Sequence, residues 1–232
     1  MHAAGDRLVL IDAGIGPRSG VSMSGSGTFA GGELLNSLSK QQIAPADITD
    51  VIFTHLHFDH VGWASHNGAI VFPNATFRCD ARDWEHFREN ERVQPILEPI
   101  RDRLVTWQGS GPLCPGIDTM SAPGHTPGST ILALSSAAAR GLLVRDVVHC
   151  PVELLDDEWA GLGDVDPELA KRTRNALARE IEGTDTPVAA AHFPGMVFGL
   201  VSANGRRRVG RLARAGAPPA SRPRDQLGQA VP

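Results

Sequence analysis

The hexapeptide His55-Leu56-His57-Phe58-Asp59-His60 places three imidazoles and one carboxylate within six consecutive residues. Imidazole is the commonest metal ligand in proteins, and carboxylate oxygen joins it on zinc-like ions. Side chains alternate along an extended chain, so His55 and His57 point to the same side and can bind one ion. Asp59 and His60 come just past this stretch and can turn toward a second ion. The segment therefore predicts a two-metal site suited to hydrolysis.

Three later segments supply further side chains of the same ligand types. His125 lies in Ala122-Pro123-Gly124-His125-Thr126-Pro127-Gly128-Ser129, Asp146 lies in Val144-Arg145-Asp146-Val147-Val148-His149, and His192 lies in Ala191-His192-Phe193-Pro194-Gly195. In order and spacing, these segments and the hexapeptide resemble the metallo-β-lactamase fold superfamily, with its HxHxDH and PGHTPGS signatures. The resemblance spans roughly residues 8 to 210 and takes in five of the nine histidines.

The resemblance implies a dinuclear metal site. Its implied ligands are His55, His57 and His125 for the first ion, Asp59, His60 and His192 for the second, and Asp146 as the bridge. Two divalent ions are expected, with zinc first for this nitrogen-rich set and manganese, iron or cobalt as alternatives. The implied activity is that of a dinuclear metal-dependent hydrolase, in which a metal-bridging hydroxide attacks a lactone, ester or related acyl or phosphoester substrate. The family also implies that Asp59 is catalytic and helps to shuttle a proton.

Residues beside the ligands resemble the branch of N-acyl-homoserine lactonases and organophosphate hydrolases. The likeness lies in His-Leu-His-Phe-Asp-His-Val-Gly-Trp at 55–63 and Asp-Val-Val-His-Cys-Pro at 146–151. Lactonases of this branch use a tyrosine near the bridging aspartate, but this chain contains no tyrosine. His149 stands three residues after Asp146, at the corresponding place. We hypothesise that His149 is catalytic, points into the pocket and donates a hydrogen bond to the substrate; a packed or solvated histidine is the alternative.

Two departures from the family pattern bear on activity. Arg145 precedes the bridging aspartate where the family normally has glycine, and a bulky cation there could distort the loop or repel metal. Family members also have a few more strands before Arg7, so the chain either lacks the first strands of the fold or is a truncated reading frame. These departures keep open a second function, a degenerate, non-catalytic protein of this fold that acts as a scaffold or binding module.

Composition is that of an ordinary globular protein. The 232 residues are 41% hydrophobic and 21% charged, which allows one large domain with a substantial core. No run approaches 18 uncharged apolar residues and the start carries no secretion signal, so neither a membrane span nor export is expected. Cys79, Cys114 and Cys150 are few, odd in number and scattered, which indicates reduced thiols and a cytoplasmic location.

Charge is distributed unevenly along the chain. The formal net charge is −4, yet residues 205–232 hold seven arginines against one acid, Asp225. That arginine-rich segment is expected to be a solvated tail, and because the remaining body is acidic, no nucleic-acid partner is expected. The predicted partner is a small-molecule substrate; the oligomeric state stays open, with a dimer as one option.

Hydrophobic patterning predicts strands in two runs with helices between them. The resemblance turns this into an expected fold, an α/β (α+β) four-layer αββα sandwich over residues 1–210, followed by a disordered arginine- and proline-rich tail at 211–232. Helices are predicted at Glu33–Lys40, across much of Asp80–Arg103 with breaks at Pro95 and Pro99, and at Pro167–Glu182. Strands are predicted at Arg7–Ile11, Thr49–Thr54, Ile70–Phe72, Thr76–Cys79, Leu104–Trp107, Ile117–Ser121, Thr130–Leu134, Gly141–Val144 and Val188–Ala191, with a hairpin of Phe198–Ser202 and Arg206–Val209 and a loop over Gly14–Gly32.

Overall fold

The computed structural model describes residues 2–4, 6–18, 21–23, 27–137, 139–161, 163–193, 195, 198–203 and 208–211. The helices are α1 Glu33–Lys40, α2 Phe58–Val61, α3 Ala81–Phe87, α4 Gln94–Leu97 and α5 Pro167–Ile181, with 3₁₀ turns at Pro45–Asp47, Glu98–Arg103, Arg145–Val147 and Pro151–Leu154. The strands are β1 His2–Ala4, β2 Arg7–Ile11, β3 Val21–Met23, β4 Gly27–Phe29, β5 Asp50–Ile52, β6 Ser65–His66, β7 Ala69–Ile70, β8 Thr76–Asp80, β9 Leu104–Trp107, β10 Gly111–Cys114, β11 Ile117–Ser121, β12 Thr130–Ser135, β13 Arg140–Leu143, β14 Val188–Ala189, β15 Gly199–Ser202 and β16 Arg208–Arg211.

The strands form two large sheets that follow one another along the chain. The first has the order β1-β2-β5-β8-β9, with parallel pairing from β2 to β9 and β1 antiparallel at its edge. The second has the order β10-β11-β12-β13-β14-β15-β16 and is antiparallel except for the β13–β14 pair. Parallel pairing requires crossover connections, and α1 and α3 lie in those crossovers of the first sheet.

Three apolar clusters show how the layers pack. Successive residues of β2 point to opposite faces of the first sheet and so belong to two different clusters. Leu10 joins the cluster that contains the helical residues Leu38 and Ile96, whereas Val9 and Ile11 face the second sheet. The cluster between the sheets consists of Val9, Ile11, Ile52, Ile117, Leu132 and Leu143. A third cluster packs the other face of the second sheet against Leu177 and Ile181 of α5. The layers are therefore helix, sheet, sheet and helix, as expected.

Most predicted elements are confirmed, but the short elements β1, α2, β6 and β10 were not predicted, and two further regions differ from the prediction. The region Gly14–Gly32 was expected as a loop, but β3 and β4 pair there as an antiparallel ribbon. The helical region after Asp80 divides into α3, α4 and a 3₁₀ turn, and Pro95 and Pro99 each lie in the first positions of a new segment. Proline cannot donate an intrahelical hydrogen bond, so it begins these segments rather than continuing the previous one.

The second sheet ends at β16, whose last residue is Arg211. The Asn204-Gly205 turn between β15 and β16, and residues 212–232 of the tail, lie outside the described residues. Within the described ranges, no helix combines the length and apolar character needed to span a membrane. Cys79, Cys114 and Cys150 are free thiols, as predicted; the cytoplasmic location stays a prediction.

Candidate metal centre

The loop that follows β2 fixes the position of the HxHxDH segment. The backbone N–H of Ala13 donates to the carbonyl of His60 at 2.6 Å, and the N–H of Trp63 donates to the carbonyl of Ala13 at 3.0 Å. Gly62 is required at this crossing, because a Cβ there would lie 2.1 Å from the carbonyl carbon of Ile15. The two loops are thus packed backbone to backbone, and the metal-ligand segment has little freedom to shift.

The carboxylate of Asp83 ties the HxHxDH segment to the PGHTPGS segment. It accepts hydrogen bonds from the Leu56 N–H at 3.0 Å, the Gly128 N–H at 2.6 Å and the Thr126 hydroxyl at 3.0 Å. Burial raises the pKa of Asp83 to about 6 despite these three donors. This one buried side chain therefore holds two loops that carry candidate ligands at a fixed separation.

His55, His57 and His125 form the first ligand cluster. Their ring nitrogens lie within 4.8 Å of one another, and Nδ1 of His57 is 2.9 Å from Nε2 of His125. Burial, reinforced by the charge of His125, lowers the pKa of His57 to about 3. Burial and the charge of His60 likewise place the pKa of His55 well below its usual value. The rings of His55 and His57 are therefore held in the neutral form, which is the form that binds metal.

Asp59, His60, Asp146 and His192 form the second ligand cluster, again with ligand atoms within 4.8 Å of one another. Asp59 and His60 lie on α2, the turn that follows His57, and the ring of His60 contacts that of His55 with centroids 3.9 Å apart. Oδ2 of Asp146 lies 3.3 Å from Nε2 of His60 and 3.2 Å from Nε2 of His192. The structure therefore brings Asp146 into contact with both of these histidines.

Oδ2 of Asp146 also lies between the two clusters. It is 3.8 Å from Nε2 of His55 and 3.7 Å from Nε2 of His125, both in the first cluster. Burial opposes ionisation of Asp146, but His60 and His192 outweigh it and hold the pKa of this carboxyl well below its usual range. Burial also opposes protonation of His60, and Asp146 and Asp12 outweigh it and raise its pKa. A carboxylate shared in this way is placed to bridge two ions.

Unsatisfied buried atoms show that these residues fit divalent ions. Among the described residues, Nε2 of His55 and Oδ1 of Asp146 are buried and have no hydrogen-bond partner. A buried polar atom without a partner costs roughly 1–3 kcal/mol, and each of these atoms belongs to a ligand cluster. Nitrogen-rich donor sets with carboxylates suit zinc and neighbouring first-row metals. An ion in each cluster would satisfy both atoms.

Two carboxylates stand behind ligand histidines on the side away from the clusters. Oδ2 of Asp12 is 3.0 Å from Nδ1 of His60, and Oδ1 of Asp164 is 2.9 Å from Nδ1 of His125. A carboxylate at one ring nitrogen fixes the tautomer, so that the other nitrogen presents its lone pair to a metal. His60 and His125 are thus both oriented for ligation through Nε2.

Arg145 does not stand among the ligand atoms. Its Nη2 donates to the carbonyl of Ile11 at 3.1 Å, and its Nε lies 3.2 Å from Oδ2 of Asp12. Both contacts are on the Nδ1 side of His60, whereas the second cluster gathers at Nε2. The cation that could have repelled metal is therefore paired with a carboxylate behind the site.

His149 lies beside the ligands and lines the same cavity. Its Nε2 is 3.5 Å from Oδ2 of Asp146, and its ring is parallel to that of His192 with centroids 5.7 Å apart. Oε2 of the buried Glu153 accepts a hydrogen bond from the His149 backbone N–H at 2.9 Å. Burial opposes protonation of His149, but Glu153 and Asp146 outweigh it and raise its pKa. The ring is placed to donate a hydrogen bond into the cavity or to join the ligands.

A cavity of about 500 Å³ opens above both clusters, a size typical of small-molecule sites. Its floor includes His57, Asp59, His125, Asp146 and His192, and its apolar walls are Phe58, Phe87, Val93 and Val165. His86, in the last turn of α3, and Asn90 and Arg92, which follow that helix, also line the cavity. Trp63, which follows the hexapeptide in the sequence, is buried in the hydrophobic core.

Sequence reasoning placed the seven candidate ligands and His149 but missed their supporting carboxylates. Asp12 directly follows the predicted strand Arg7–Ile11 without forming a motif, and nothing near Asp164, Glu153 or Asp83 resembles a motif. Asp164 reaches His125 from 39 residues away. The one available signal was its place in a loop just before α5, whose N-cap, Asp166, bonds to the N–H of Leu169.

The family model described as Metallo-beta-lactamase superfamily matches residues 3–192. An N-acyl homoserine lactonase of Bacillus thuringiensis is 30% identical over 190 residues, which cover 74% of this chain and 72% of that protein. Metallo-beta-lactamase domain-containing protein 1 of Xenopus laevis is 30% identical over 154 residues, which cover 66% of this chain and 59% of that protein.

Solved structures with a similar fold include two hydrolases. AidC, a dizinc quorum-quenching lactonase in complex with a product, N-hexanoyl-L-homoserine, superposes with a TM-score of 0.78 at 25% identity, over 91% of this chain and 77% of that chain. The hydrolase AbOPH, of the beta lactamase superfamily, superposes with a TM-score of 0.76 at 24% identity, over 90% of this chain and 77% of that chain. The second likeness concerns the fold alone.

Proposed function

Because this chain belongs to the metallo-beta-lactamase superfamily and is a metal-dependent hydrolase, we propose that it binds two divalent ions, zinc in the first place, and opens the ester bond of a lactone. The observation that carries the proposal is the position of Asp146 Oδ2, within 3.2–3.8 Å of imidazole nitrogens from both ligand clusters. The same atom lies on the floor of a cavity large enough for a small molecule.

Each part of the site has a role in this reaction. When bound, two divalent ions supply a water acidified enough to act as a nucleophile near neutral pH, and they polarise the carbonyl under attack. Asp146 keeps the two sets of ligand nitrogens at a fixed separation. Asp59, whose side chain is 27% exposed and faces the cavity, takes the proton from the attacking water and passes it to the leaving oxygen.

His149 donates a hydrogen bond to the substrate carbonyl oxygen as negative charge develops on it. Its ring lines the cavity between His125 and His192, with centroid distances of 4.9 Å and 5.7 Å. Its Nε2 lies 3.5 Å from Oδ2 of Asp146, beside the ligand atoms. A donor aimed at developing charge is typically worth about 10²-fold or more in rate.

The walls of the cavity support an acyl compound as the substrate. Phe58, Phe87, Val93 and Val165 form an apolar surface beside the ligands, where an alkyl chain would lose its contact with water. The relatives of the chain point the same way, because the N-acyl homoserine lactonase of Bacillus thuringiensis acts on a lactone with such a chain. We therefore place the lactone ring over the ligand clusters and the acyl chain along these walls.

The test is a substrate panel with matched variants of His149. The zinc-loaded chain is assayed with N-acyl lactones, simple esters, thioesters and phosphotriesters, and the lactones are expected to give the highest kcat/KM. His149→Ala is expected to lower kcat on lactones by roughly 10²-fold while bound metal stays at the wild-type level, and His149→Gln, which keeps a donor, is expected to recover part of it.

Two results would overturn parts of this proposal. Unchanged turnover in His149→Ala at full metal content would remove His149 from the reaction. Loss of bound metal in that variant would make His149 a ligand, since it lies with His125 and Asp146 in a third group of close donor atoms. Absence of turnover on every substrate by a fully loaded chain would favour the non-catalytic scaffold.

A further inference from the structure

We propose that Arg145 is a positioning residue for the second ligand cluster, acting through Asp12 on His60. The inference rests on the proposed two-metal site, but it concerns the contact between Arg145 and Asp12, neither of which is among the seven candidate ligands. In the family pattern a glycine usually stands at this place, so the contact depends on the side chain that this chain carries there.

The guanidinium of Arg145 is held by two groups of the loop that follows β2. Nη2 donates to the carbonyl of Ile11 at 3.1 Å, and Nε lies 3.2 Å from Oδ2 of Asp12. The side chain is only 17% exposed. A guanidinium with few alternative positions and an anchored neighbour can hold a carboxylate in place, because the planar fork loses little further freedom on pairing.

The carboxylate of Asp12 is in turn shared between Arg145 and His60. Oδ2 is 3.0 Å from Nδ1 of His60, while Oδ1 accepts a hydrogen bond from the N–H of Thr54 at 2.8 Å. The hydroxyl of Thr54 lies 3.0–3.1 Å from the two oxygens. Arg145 is therefore the only cation among these contacts of Asp12 apart from the histidine that it orients.

This contact acts on the metal-binding face of His60. A proton fixed on Nδ1 by Asp12 leaves the lone pair of Nε2 directed at the second cluster, 3.3 Å from Oδ2 of Asp146. Because Arg145 immediately precedes Asp146, one residue links the support of His60 to the backbone that carries the bridging carboxylate. Arg145 is therefore connected to two members of the second cluster, to His60 through Asp12 and to Asp146 through the chain.

The backbone conformation of Arg145 allows the role of its side chain to be tested by substitution with glycine. Its φ is +44°, in the left-handed region that glycine adopts most readily. Arg145→Gly therefore removes the guanidinium without straining the existing backbone conformation.

The experiment measures the affinity of the full chain for zinc and cobalt by chelator competition, and records the visible spectrum of the cobalt protein. In Arg145→Gly, one of the two ions is expected to bind roughly tenfold more weakly, the other unchanged, and the cobalt bands of one site to shift. Asp12→Asn is expected to give the same selective loss, and the double variant no further loss, because both residues act through one contact. Arg145→Lys keeps the charge without the planar fork and should recover only part of the affinity.

A matched control is Arg7→Ala, at the other end of β2. Arg7 pairs with the buried Asp50 through Nε at 2.9 Å and Nη2 at 2.5 Å. Its loss should lower thermal stability and leave both metal affinities unchanged, which separates positioning from general destabilisation. Wild-type affinities for both ions in Arg145→Gly, or equal weakening of both, would overturn the inference.

The outcome also separates this inference from the two-ion proposal. If the wild-type chain binds only one equivalent, the two-ion site is contradicted. In that case, weaker binding of the one ion in Arg145→Gly supports the role of Arg145, and unchanged binding overturns it. Selective weakening in Arg145→Gly and Asp12→Asn, but not in Arg7→Ala, supports the role; no change overturns it.

Discussion

The two ligand clusters of the centre have unlike surroundings. The first consists of three histidines, and its members His55 and His125 are almost fully buried. The second adds carboxylates and reaches the surface, since the side chain of His192 is 41% exposed and that of Asp59 is 27% exposed. The first cluster is therefore more deeply buried than the second, although both contribute residues to the cavity.

The difference in burial indicates which of the two clusters should hold its ion more firmly. The three imidazoles lie close together on loops tied by Asp83, so little ordering cost is left for binding. His192 and Asp59 must be ordered from partly exposed positions. We expect the first ion to bind tightly and exchange slowly, and the second to bind more weakly and to face the substrate.

Asp146→Ala is expected to have the largest effect, because it should impair both ligand clusters. Because Asp146 contacts histidines of both clusters, its removal should lower the affinity for both ions and reduce kcat/KM by roughly 10⁴-fold. Metal content after dialysis and steady-state kinetics on a lactone check this. A variant that still holds one ion with wild-type affinity and keeps a tenth of the activity would show that the carboxylate belongs to one cluster alone.

His55→Ala and His192→Ala form a pair that separates the clusters. His55→Ala should lose the tightly held ion, whereas His192→Ala should retain one tight equivalent and lose the weaker one. Both should be nearly inactive, because the reaction needs both halves. Binding isotherms for zinc would check the assignment, and the reverse pattern, a tight ion lost with His192, would contradict the ranking of the two halves.

Asp164→Asn should have the smallest effect, confined to the first cluster. The variant weakens the acceptor at Nδ1 of His125, 2.9 Å away, and such supporting contacts typically change metal affinity about 10–100-fold. The first ion should bind more weakly and the second as before. If chelator competition instead showed the second ion weakened, Asp164 would not act through His125.

The sequence was informative where chemistry follows from local pattern. The apolar run of β2 and the helical spacing of Leu34, Leu35 and Leu38 predicted elements that the structure contains. The candidate ligand residues stand out in the sequence because their motifs are short and lie just past strands. Local pattern alone did not predict β3 and β4, which lie in a glycine- and serine-rich stretch.

The supporting residues could not be predicted in the same way. Asp164 and His125 are 39 residues apart, and Arg145 and Ile11 are 134 apart, so these contacts exist only once the two sheets have packed. The direction of the Arg145 side chain is a further example. From the sequence, the charge of Arg145 could oppose metal binding. In the structure, its side chain is paired with Asp12 behind His60.

The proposal that lactone hydrolysis needs both ions is tested most directly by titrating the apo chain with metal and measuring lactone turnover at each step. We expect a tight first equivalent with little activity, then a weaker second equivalent with which hydrolysis of the N-acyl lactone appears. Full turnover at one equivalent, or two bound equivalents without lactone hydrolysis, would contradict it.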